Sequence, residues 1–391
     1  MKFLRTGIIA EFNPLHKGHK YIIDHVKKHG DTAVVAMSGN FVQRGSSAIY
    51  PKALRVKAAI DSGADIVAEL PVFWAMSTAQ NFALGAVTQL KRAGCKKIVF
   101  GSESGDIEKL CLTAEILLSE DFNFSVKSEL KKGVTFAKAR ENAAKALGAD
   151  RKLLSNPNDN LGIEYIIAAK KAGYDLDFEC LKRFGAKHDE ETEHEFKSGS
   201  QIRNYIISGD INSAKAAMPE SSHFLLNTPF ADERLLERAV LAVLREKNAD
   251  YFSALPDISE GLDRLFFAAV KKSGTINELM INLKSKRYTL ARIRRLIFSA
   301  FLGFDNDLFL KNPPYIRILG FNKKTVKNPF EQKPDCPVLS KVSEIAKLDE
   351  RCKKIFGLEA KASDLYALAF KNPYKCGLEY KYKIYKGEKN D

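Results

Sequence analysis

TGIIAEFNPLHKGH, residues Thr6–His19, is the stretch that decides the fold of the first part of the chain. Thr6–Phe12 is an apolar, β-branched run that predicts a buried strand, and His19–Lys28 has the spacing of an amphipathic helix. The polar turn between them lies at the carboxyl end of the strand and at the N-terminus of the helix. In open parallel sheets this is where phosphate-bearing ligands bind.

Strands and helices continue to alternate outward from this stretch. Three more strand-like runs and two helical runs follow: strands at Thr32–Met37, Asp65–Leu70 and Lys96–Phe100, and helices at Pro51–Ser62 and Ser77–Ala93. Such alternation predicts right-handed crossovers and a Rossmann-like α/β domain with a parallel sheet. Another strand is predicted near Asp177–Lys182, and beyond about Asp210 helical periodicity dominates. We therefore expect an α/β domain at residues 1–210 and a mostly helical C-terminal domain at residues 211–391.

The turn contains the pattern His16-Lys17-Gly18-His19, which suits chemistry at a phosphate. Gly18 lets the backbone approach a nucleotide closely. His16 and His19 then offer imidazole donors to oxygens on which charge develops in the transition state. The alternative is a pair of surface histidines in a turn that happens to contain glycine. The placement between strand and helix favours the catalytic interpretation, and neither a Walker A motif nor G-x-G-x-x-G occurs in the chain.

The H-x-G-H pattern resembles the signature of the nucleotidyltransferase superfamily, which includes adenylyltransferases and class I aminoacyl-tRNA synthetases. A narrower resemblance covers nearly the whole chain: several longer motifs are similar to those of the bacterial tRNA(Met) cytidine acetate ligases. These motifs are Ile9–His19, Met37–Gly45, Phe100–Gly105, Pro157–Gly162, Lys182–Gly185 and Pro314–Asn322.

This resemblance implies that ATP and acetate form acetyl-adenylate and pyrophosphate. The N4 amine of the wobble cytidine of elongator tRNA(Met) then takes the acetyl group and AMP leaves. His16 and His19 would be catalytic. Residues of the first turn and of three other motifs would surround ATP: Ile9, Ala10, Glu11, Phe12, Asn13, Pro14, Leu15, His16, Lys17, Gly18, His19, Lys20, Gly101, Asn158 or Asn160, and Arg183.

Two of these assignments stay open. The family usually shows Pro-Asn-Asn, whereas this chain has Pro157-Asn158-Asp159-Asn160, so Asn158 is favoured over Asn160 only by its offset from the proline. Ser198–Arg203 resembles the second superfamily motif, in which Ser200 and Arg203 would hold the leaving phosphates at a helix N-terminus. An ordinary capped helix with a solvated arginine is the alternative for this segment.

The charge of the chain favours a polyanionic partner. Its 62 Lys and Arg against 48 Asp and Glu give a formal charge of +14. Ile281–Ile297 carries six cations and no acid: Lys284, Lys286, Arg287, Arg292, Arg294 and Arg295. A basic helical surface of this kind suits an RNA backbone, and tRNA is the partner we expect. A solvated cationic face is the alternative.

The remaining features set limits on the function. The six cysteines lack zinc-type spacing, so no metal site is assigned to the chain, although Mg²⁺ is expected with the ATP triphosphate. His188 and His194 lie in an acidic segment that favours a solvated loop over metal ligation. No apolar run is long enough for a bilayer, and we expect a cytoplasmic enzyme without a membrane partner. Two rivals remain: a small-molecule adenylyltransferase of cofactor biosynthesis, and a non-catalytic RNA-binding protein on the same scaffold.

Overall fold

Ten strands form in the computed structural model, which describes residues 4–183, 196–258, 261–285, 288–305, 312–329, 334–339 and 341–387. In chain order the strands are β1 Arg5–Ala10, β2 Thr32–Ser38, β3 Phe41–Val42, β4 Ser46–Ser47, β5 Ile66–Leu70, β6 Lys97–Ser102, β7 Asp177–Lys182, β8 Ile316–Asn322, β9 Val338–Leu339 and β10 Tyr385–Gly387. Strands β3 and β4 form a separate hairpin, and the other eight form one sheet. His188 and His194 lie outside the described residues.

The helices follow the predicted alternation and then fill the second half of the chain. They are α1 Lys17–Lys28, α2 Lys52–Asp61, α3 Val72–Ala75, α4 Ala79–Arg92, α5 Ile107–Leu118, α6 Glu120–Lys131, α7 Phe136–Ala146, α8 Arg151–Ser155, α9 Pro157–Lys171, α10 Gly199–Ser208, α11 Ile211–Ala217, α12 Glu237–Arg245, α13 Ala249–Ser253, α14 Leu262–Lys272, α15 Ile276–Leu283, α16 Leu290–Leu302 and α17 Glu350–Tyr366.

The sheet has the order β10-β8-β5-β2-β1-β6-β7. Strands β5, β2, β1, β6 and β7 are mutually parallel, with Ile8 of β1 opposite Val35 of β2 and Val99 of β6. A central parallel strand is buried on both faces and is therefore mostly apolar. On β2, Val34 and Ala36 enter one hydrophobic cluster, whereas Ala33, Val35 and Met37 enter the other. The predicted α/β fold with a parallel sheet is confirmed.

The C-terminal segment is helical through α16 and then returns to the sheet. Strand β8 pairs antiparallel with β5, so that Ile66 lies opposite Phe321, and β9 and β10 pair parallel with β8. Phe73 packs 5.1 Å from Phe304, measured between ring centroids, within a cluster that also contains α12 to α17. The predicted division near residue 210 stays a prediction, and the two segments share one sheet and contribute to both hydrophobic clusters.

Candidate active site

The carboxyl edge of the sheet places the H-x-G-H turn beside a cleft. Phe12, just after β1, has a φ of 46° and is fully buried. This left-handed backbone costs a non-glycine residue about 1–2 kcal/mol, and burial of the phenyl ring offsets it. The ring meets His19 edge to face, with 5.0 Å between centroids. The turn is thus held rigidly at the start of α1.

His16 and His19 cap α1 reciprocally. His16 is the N-cap, and its Nδ1 accepts from the His19 backbone N–H at 3.4 Å. The Nδ1 of His19 accepts from the His16 backbone N–H at 3.3 Å. The two rings stack with centroids 3.7 Å apart. Because both Nδ1 atoms accept hydrogen bonds, we assign the proton of each neutral ring to Nε2.

Both histidines are held neutral. Burial first, and then the positive charge of Arg183, lower the pKa of His16 to about 3. Burial also lowers the pKa of His19 well below its ordinary value, with smaller contributions from His16 and Arg183. Neither Nε2 donates to any residue that the structure describes. Each ring therefore presents an uncharged, preorganised N–H donor at the wall of the cleft.

Gly18 allows this ring geometry. A Cβ at Gly18 would lie 3.0 Å from Cε1 and 3.1 Å from Nδ1 of His16. Contacts that short are close to the limit for carbon atoms, so a side chain there would displace the ring. Glycine at this position serves the packing of His16 over the first turn of the helix.

The cleft encloses about 720 Å³ of empty space, part of it open to solvent. Seven of the predicted site residues line it: Ile9, His16, Gly18, His19, Gly101, Asn158 and Arg183. Arg183 forms no ion pair with a carboxylate within the described ranges. An arginine without a counter-ion at the wall of a cleft suits a phosphate group.

Other predicted ATP contacts lie beside the cleft or support it. Ala10, Pro14 and Leu15 are buried, Lys17 is exposed, and Lys20 pairs with Asp24. The Asn13 side chain accepts from the Ile49 backbone N–H at 2.8 Å. These residues shape the turn, and their contact with ATP stays a prediction.

The two candidate asparagines, Asn158 and Asn160, differ in their contacts within the protein. Asn158 lines the cleft and donates to Glu103 Oε1 at 2.6 Å. Asn160 instead accepts from Arg140 Nη1 at 3.1 Å. Asp159, which interrupts the family pattern, is buried and accepts from the Ser104 backbone N–H at 3.2 Å. Asp159 thereby fastens the loop after β6 to α9, and this arrangement favours Asn158 as the ligand.

Ser198–Arg203 forms a capped helix start that reaches the first turn. Ser198 and Gln201 make a capping box at the start of α10. Arg203 Nη1 donates to the Asn13 carbonyl at 2.7 Å, and Nη2 donates to Ser200 Oγ at 2.9 Å. The arginine therefore anchors the turn that carries the histidines. Binding of phosphates by Ser200 and Arg203 stays a prediction.

The pattern analysis missed eight residues that line the cleft: Tyr21, Ile22, Phe100, Leu161, Tyr165, Leu181, Lys182 and Phe196. A signal was present on α9, where Asn158, Leu161 and Tyr165 are spaced as one face of a helix. Identifying that face requires knowing that α9 crosses the carboxyl edge of β6, and local periodicity does not contain this information.

The arginines of α16 are ion-paired instead of forming an open cationic surface. Arg292 Nε lies 3.3 Å from Asp257 Oδ1, and Arg295 Nη2 lies 3.8 Å from Asp257 Oδ2. Arg294 pairs with Glu233. The side chains of Arg292, Arg294 and Arg295 are 24%, 30% and 15% exposed. Lys284 is exposed, and Lys286 and Arg287 lie outside the described residues.

The described residues contain neither a cluster of metal-binding side chains nor a membrane-spanning helix. Within those ranges, three or more His, Cys, Asp or Glu side chains do not come together in a group that could hold a metal ion. Over the same part of the chain, none of the helices combines the length and apolar character needed to cross a bilayer.

Comparison with known proteins places the chain in a family. The model of the HIGH Nucleotidyl Transferase family matches residues 1–380. The tRNA(Met) cytidine acetate ligase of Thermoanaerobacter sp. (strain X514) is 38% identical over 394 residues, which cover 96% of this chain and 97% of the relative. The protein of the same name from Caldanaerobacter subterraneus subsp. tengcongensis is 38% identical over 386 residues, with 94% and 95% covered.

A solved structure agrees with these relatives. Thermotoga maritima TmcAL, crystallised with alpha-thio ATP, superposes with a TM-score of 0.89 at 30% identity, covering 98% of this chain and 100% of that chain. Its apo form gives the same TM-score and identity. The chain belongs to the HIGH nucleotidyltransferases and, among them, to the family of the tRNA(Met) cytidine acetate ligases.

Proposed function

We propose that this protein is an ATP-dependent tRNA(Met) cytidine acetate ligase. It activates acetate as acetyl-adenylate and transfers the acetyl group to N4 of the wobble cytidine of elongator tRNA(Met), with release of pyrophosphate and AMP. The observation that carries the proposal is the pair of neutral imidazoles, His16 and His19, whose Nε2–H donors line a cleft together with Arg183. The names of the relatives and the ATP analogue in the related crystal structure support the substrates.

In the first step a carboxylate oxygen of acetate attacks the α-phosphorus in line, and the bond to the bridging oxygen of pyrophosphate breaks. Negative charge then builds on the phosphate oxygens. The Nε2–H groups of His16 and His19 and the guanidinium of Arg183 stabilise that charge without reorienting. Neutral donors suit this task, because they need not be desolvated as ions when ATP enters.

Mg²⁺ is the ion that the triphosphate would bring with it. The described lining of the cleft contains no carboxylate, and hard oxygen ligands are what Mg²⁺ takes from proteins. The side chains of this cleft therefore do not fit a protein-held Mg²⁺ site, and we assign no step of the reaction to one. The donors of this chain act directly on the phosphates.

We further propose that acetate and tRNA are the other substrates and that the enzyme acts in the cytoplasm. The formal charge of +14 supports an RNA partner, because phosphate contacts supply most of the affinity in such complexes. The acetyl acceptor is an exocyclic amine, which is a weak nucleophile, and prior activation of acetate as a mixed anhydride supplies the driving force.

The test is a reconstitution with two readouts. Purified protein is incubated with ATP, acetate and bulk tRNA, and the products are measured as pyrophosphate and as N4-acetylcytidine by nucleoside mass spectrometry. We expect both products, and N4-acetylcytidine only when ATP, acetate and tRNA are all present. Pyrophosphate release that depends on another small acceptor would indicate a cofactor adenylyltransferase, and no release at all would indicate a scaffold.

A further inference from the structure

Glu11 lies where the ATP cleft meets a group of arginines. It directly follows β1 at the carboxyl edge of the sheet, two positions after Ile9, which lines the cleft. Its charge also acts on Tyr165 of α9, another lining residue. The positive charges of Arg203 of α10, Arg44 of the β3–β4 hairpin and Arg55 of α2 act on the carboxyl, and Arg55 Nη1 donates to the Glu11 backbone carbonyl.

One oxygen of this carboxyl is engaged and the other is available. Glu11 Oε1 accepts from the Gln43 backbone N–H at 2.9 Å. Oε2 accepts a hydrogen bond from none of the residues that the structure describes, and Glu11 keeps part of its surface exposed. The three arginines lie beyond ion-pair distance. The group is thus oriented by one hydrogen bond and still open to a ligand.

The other acids near the cleft are fully used. Glu103 accepts from the backbone N–H groups of Asn158 and Asp159 and caps α9. Asp159 accepts from Ser102, Ser104 and Asn156. The cleft itself has no acid among its described lining residues. Glu11 is therefore the carboxylate placed to act on a molecule that approaches the cleft from the arginine side.

We propose that Glu11 is the general base of the acetyl-transfer step, accepting the proton of the cytidine N4 amine at Oε2. This inference rests on the proposed function. As the amine nitrogen attacks, the N–C bond to the acetyl carbonyl forms and the C–O bond to the adenylate phosphate breaks. AMP leaves with the electron pair, the amine proton moves to Glu11, and from there it passes to solvent.

The electrostatics suit this role. Burial raises the pKa of Glu11, and the Gln43 N–H and the charges of Arg203, Arg44 and Arg55 oppose that increase. A carboxylate with a raised pKa is a stronger base. Arg44 is exposed on the hairpin, so its positive charge is available to a phosphate group.

The test separates the two half-reactions in the Glu11→Gln variant, whose amide oxygen still accepts from the Gln43 N–H. Adenylate formation is measured as acetate-dependent ATP–pyrophosphate exchange, and transfer as single-turnover formation of N4-acetylcytidine on tRNA. We expect transfer to be slower by about 100- to 10,000-fold, because the amine loses its proton acceptor. Exchange involves no amine proton, so its loss, if any, should be smaller than the loss of transfer by at least about tenfold. The parent's transfer rate should rise with pH through an inflection above the ordinary pKa of a glutamate, and the variant should lack that inflection.

Glu103→Gln is the matched control, because it alters a second carboxylate beside the cleft that supports Asn158. We expect this variant to lower exchange and transfer together. A Glu11→Gln enzyme with transfer within threefold of the parent would overturn the assignment, and so would a parallel loss of exchange and transfer. A parent enzyme that exchanges pyrophosphate but never acetylates tRNA would refute the proposed function itself.

Discussion

Lys52 Nζ lies 3.0 Å from Glu359 Oε1, although 307 positions separate the two residues in the chain. Both are buried, as are the neighbouring Glu69, Arg317 and Glu379. Lys52 Nζ also lies 2.7 Å from Glu379 Oε1, and Arg317 Nη1 lies 3.0 Å from Glu69 Oε2. Two cations and three carboxylates thus join α2 and β5 to the C-terminal strand and helix without access to water.

Removing the lysine from this network should destabilise the fold strongly. In Lys52→Met three carboxylates would share one buried arginine, and breaking a buried pair typically costs about 3–5 kcal/mol. Urea unfolding would measure the loss. Lys353→Met, which removes an exposed pair with Glu350, should cost about 1 kcal/mol or less. Equal losses in the two variants would show that the network contributes nothing beyond surface pairing.

Glu359 should make stability depend on pH. Burial and the neighbouring carboxylates raise the pKa of Glu359 to about 7, above the value of 4.5 in an unfolded chain. Between pH 4.5 and 7 the unfolded state therefore binds fewer protons at this site, and the contribution of Glu359 to stability falls as pH rises. Glu359→Gln removes that slope. The difference in free energy of unfolding, variant minus parent, should become more positive from pH 4.5 to 7, and a flat difference would contradict this.

The two histidines should affect adenylate formation and helix stability separately. His16→Ala and His19→Ala each remove an Nε2–H donor, which we expect to slow ATP–pyrophosphate exchange about 100- to 1,000-fold. His16→Asn keeps a capping acceptor and should restore stability, about 1 kcal/mol, without restoring the rate. His29→Ala, at the other end of α1, is the control and should leave exchange unchanged. Parent-like exchange in both alanine variants would rule out the proposed donors.

Gly18→Ala should slow adenylate formation by displacing the His16 ring. The added Cβ meets the His16 ring at 3.0 Å, and the ring must shift from its place over the helix start. We expect exchange to fall at least about tenfold, since small displacements of a donor are costly. Gly357→Ala in α17, where a Cβ meets nothing within 4 Å, should raise stability by about 0.5–1 kcal/mol and leave exchange intact. An unchanged exchange rate in Gly18→Ala would contradict the assignment of Gly18 as the residue that leaves room for the His16 ring.

Arg44 should contribute to tRNA binding more than the arginines of α16 do. Arg44 is exposed, and no described carboxylate pairs with it, so Arg44→Ala should reduce the slope of log affinity against log salt by about 0.7–0.9 without changing stability. Arg294→Ala should lower stability instead, because Glu233 would lose its partner. The measurements are tRNA affinity across a salt series and the free energy of unfolding in urea. If only Arg294→Ala changed the salt slope, Arg294 and not Arg44 would be the residue that contacts tRNA.

The first half of the fold could be predicted because short runs of the sequence are enough to identify its strands and helices. The strands of the parallel sheet before residue 183 follow the period and the apolar content of short runs, and their bounds agree with the structure to within a few residues. Strands β8 and β10 could not be found in this way, because β8 is defined by pairing with β5, some 250 residues earlier, and β10 by pairing with β8. Taken alone, the short runs IRILGFN of β8 and YKG of β10 do not stand out from the mixed sequence of the tail.

The part of the candidate site that depends on local sequence could likewise be predicted. One turn contains the recognisable pattern formed by His16, Gly18 and His19. The family motifs then indicate Gly101, Asn158 and Arg183. The aromatic wall from α9 depends on how that helix crosses β6. The pairing of Arg292, Arg294 and Arg295 depends on Asp257 and Glu233, which precede them by tens of residues. Counting charge along the chain could not show that these cations already have partners.

The antiparallel pairing of β8 with β5 has a consequence during synthesis on the ribosome. All five parallel strands of the sheet have been made once residue 182 is reached, but the outer edge of β5, which is apolar except for Glu69, has no partner strand until residue 322 emerges. Exposed apolar edges of this kind recruit other chains. The growing polypeptide therefore exposes this strand edge while about a third of the chain is translated. A chain that terminates in that interval should aggregate, although its nucleotide-binding strands are complete.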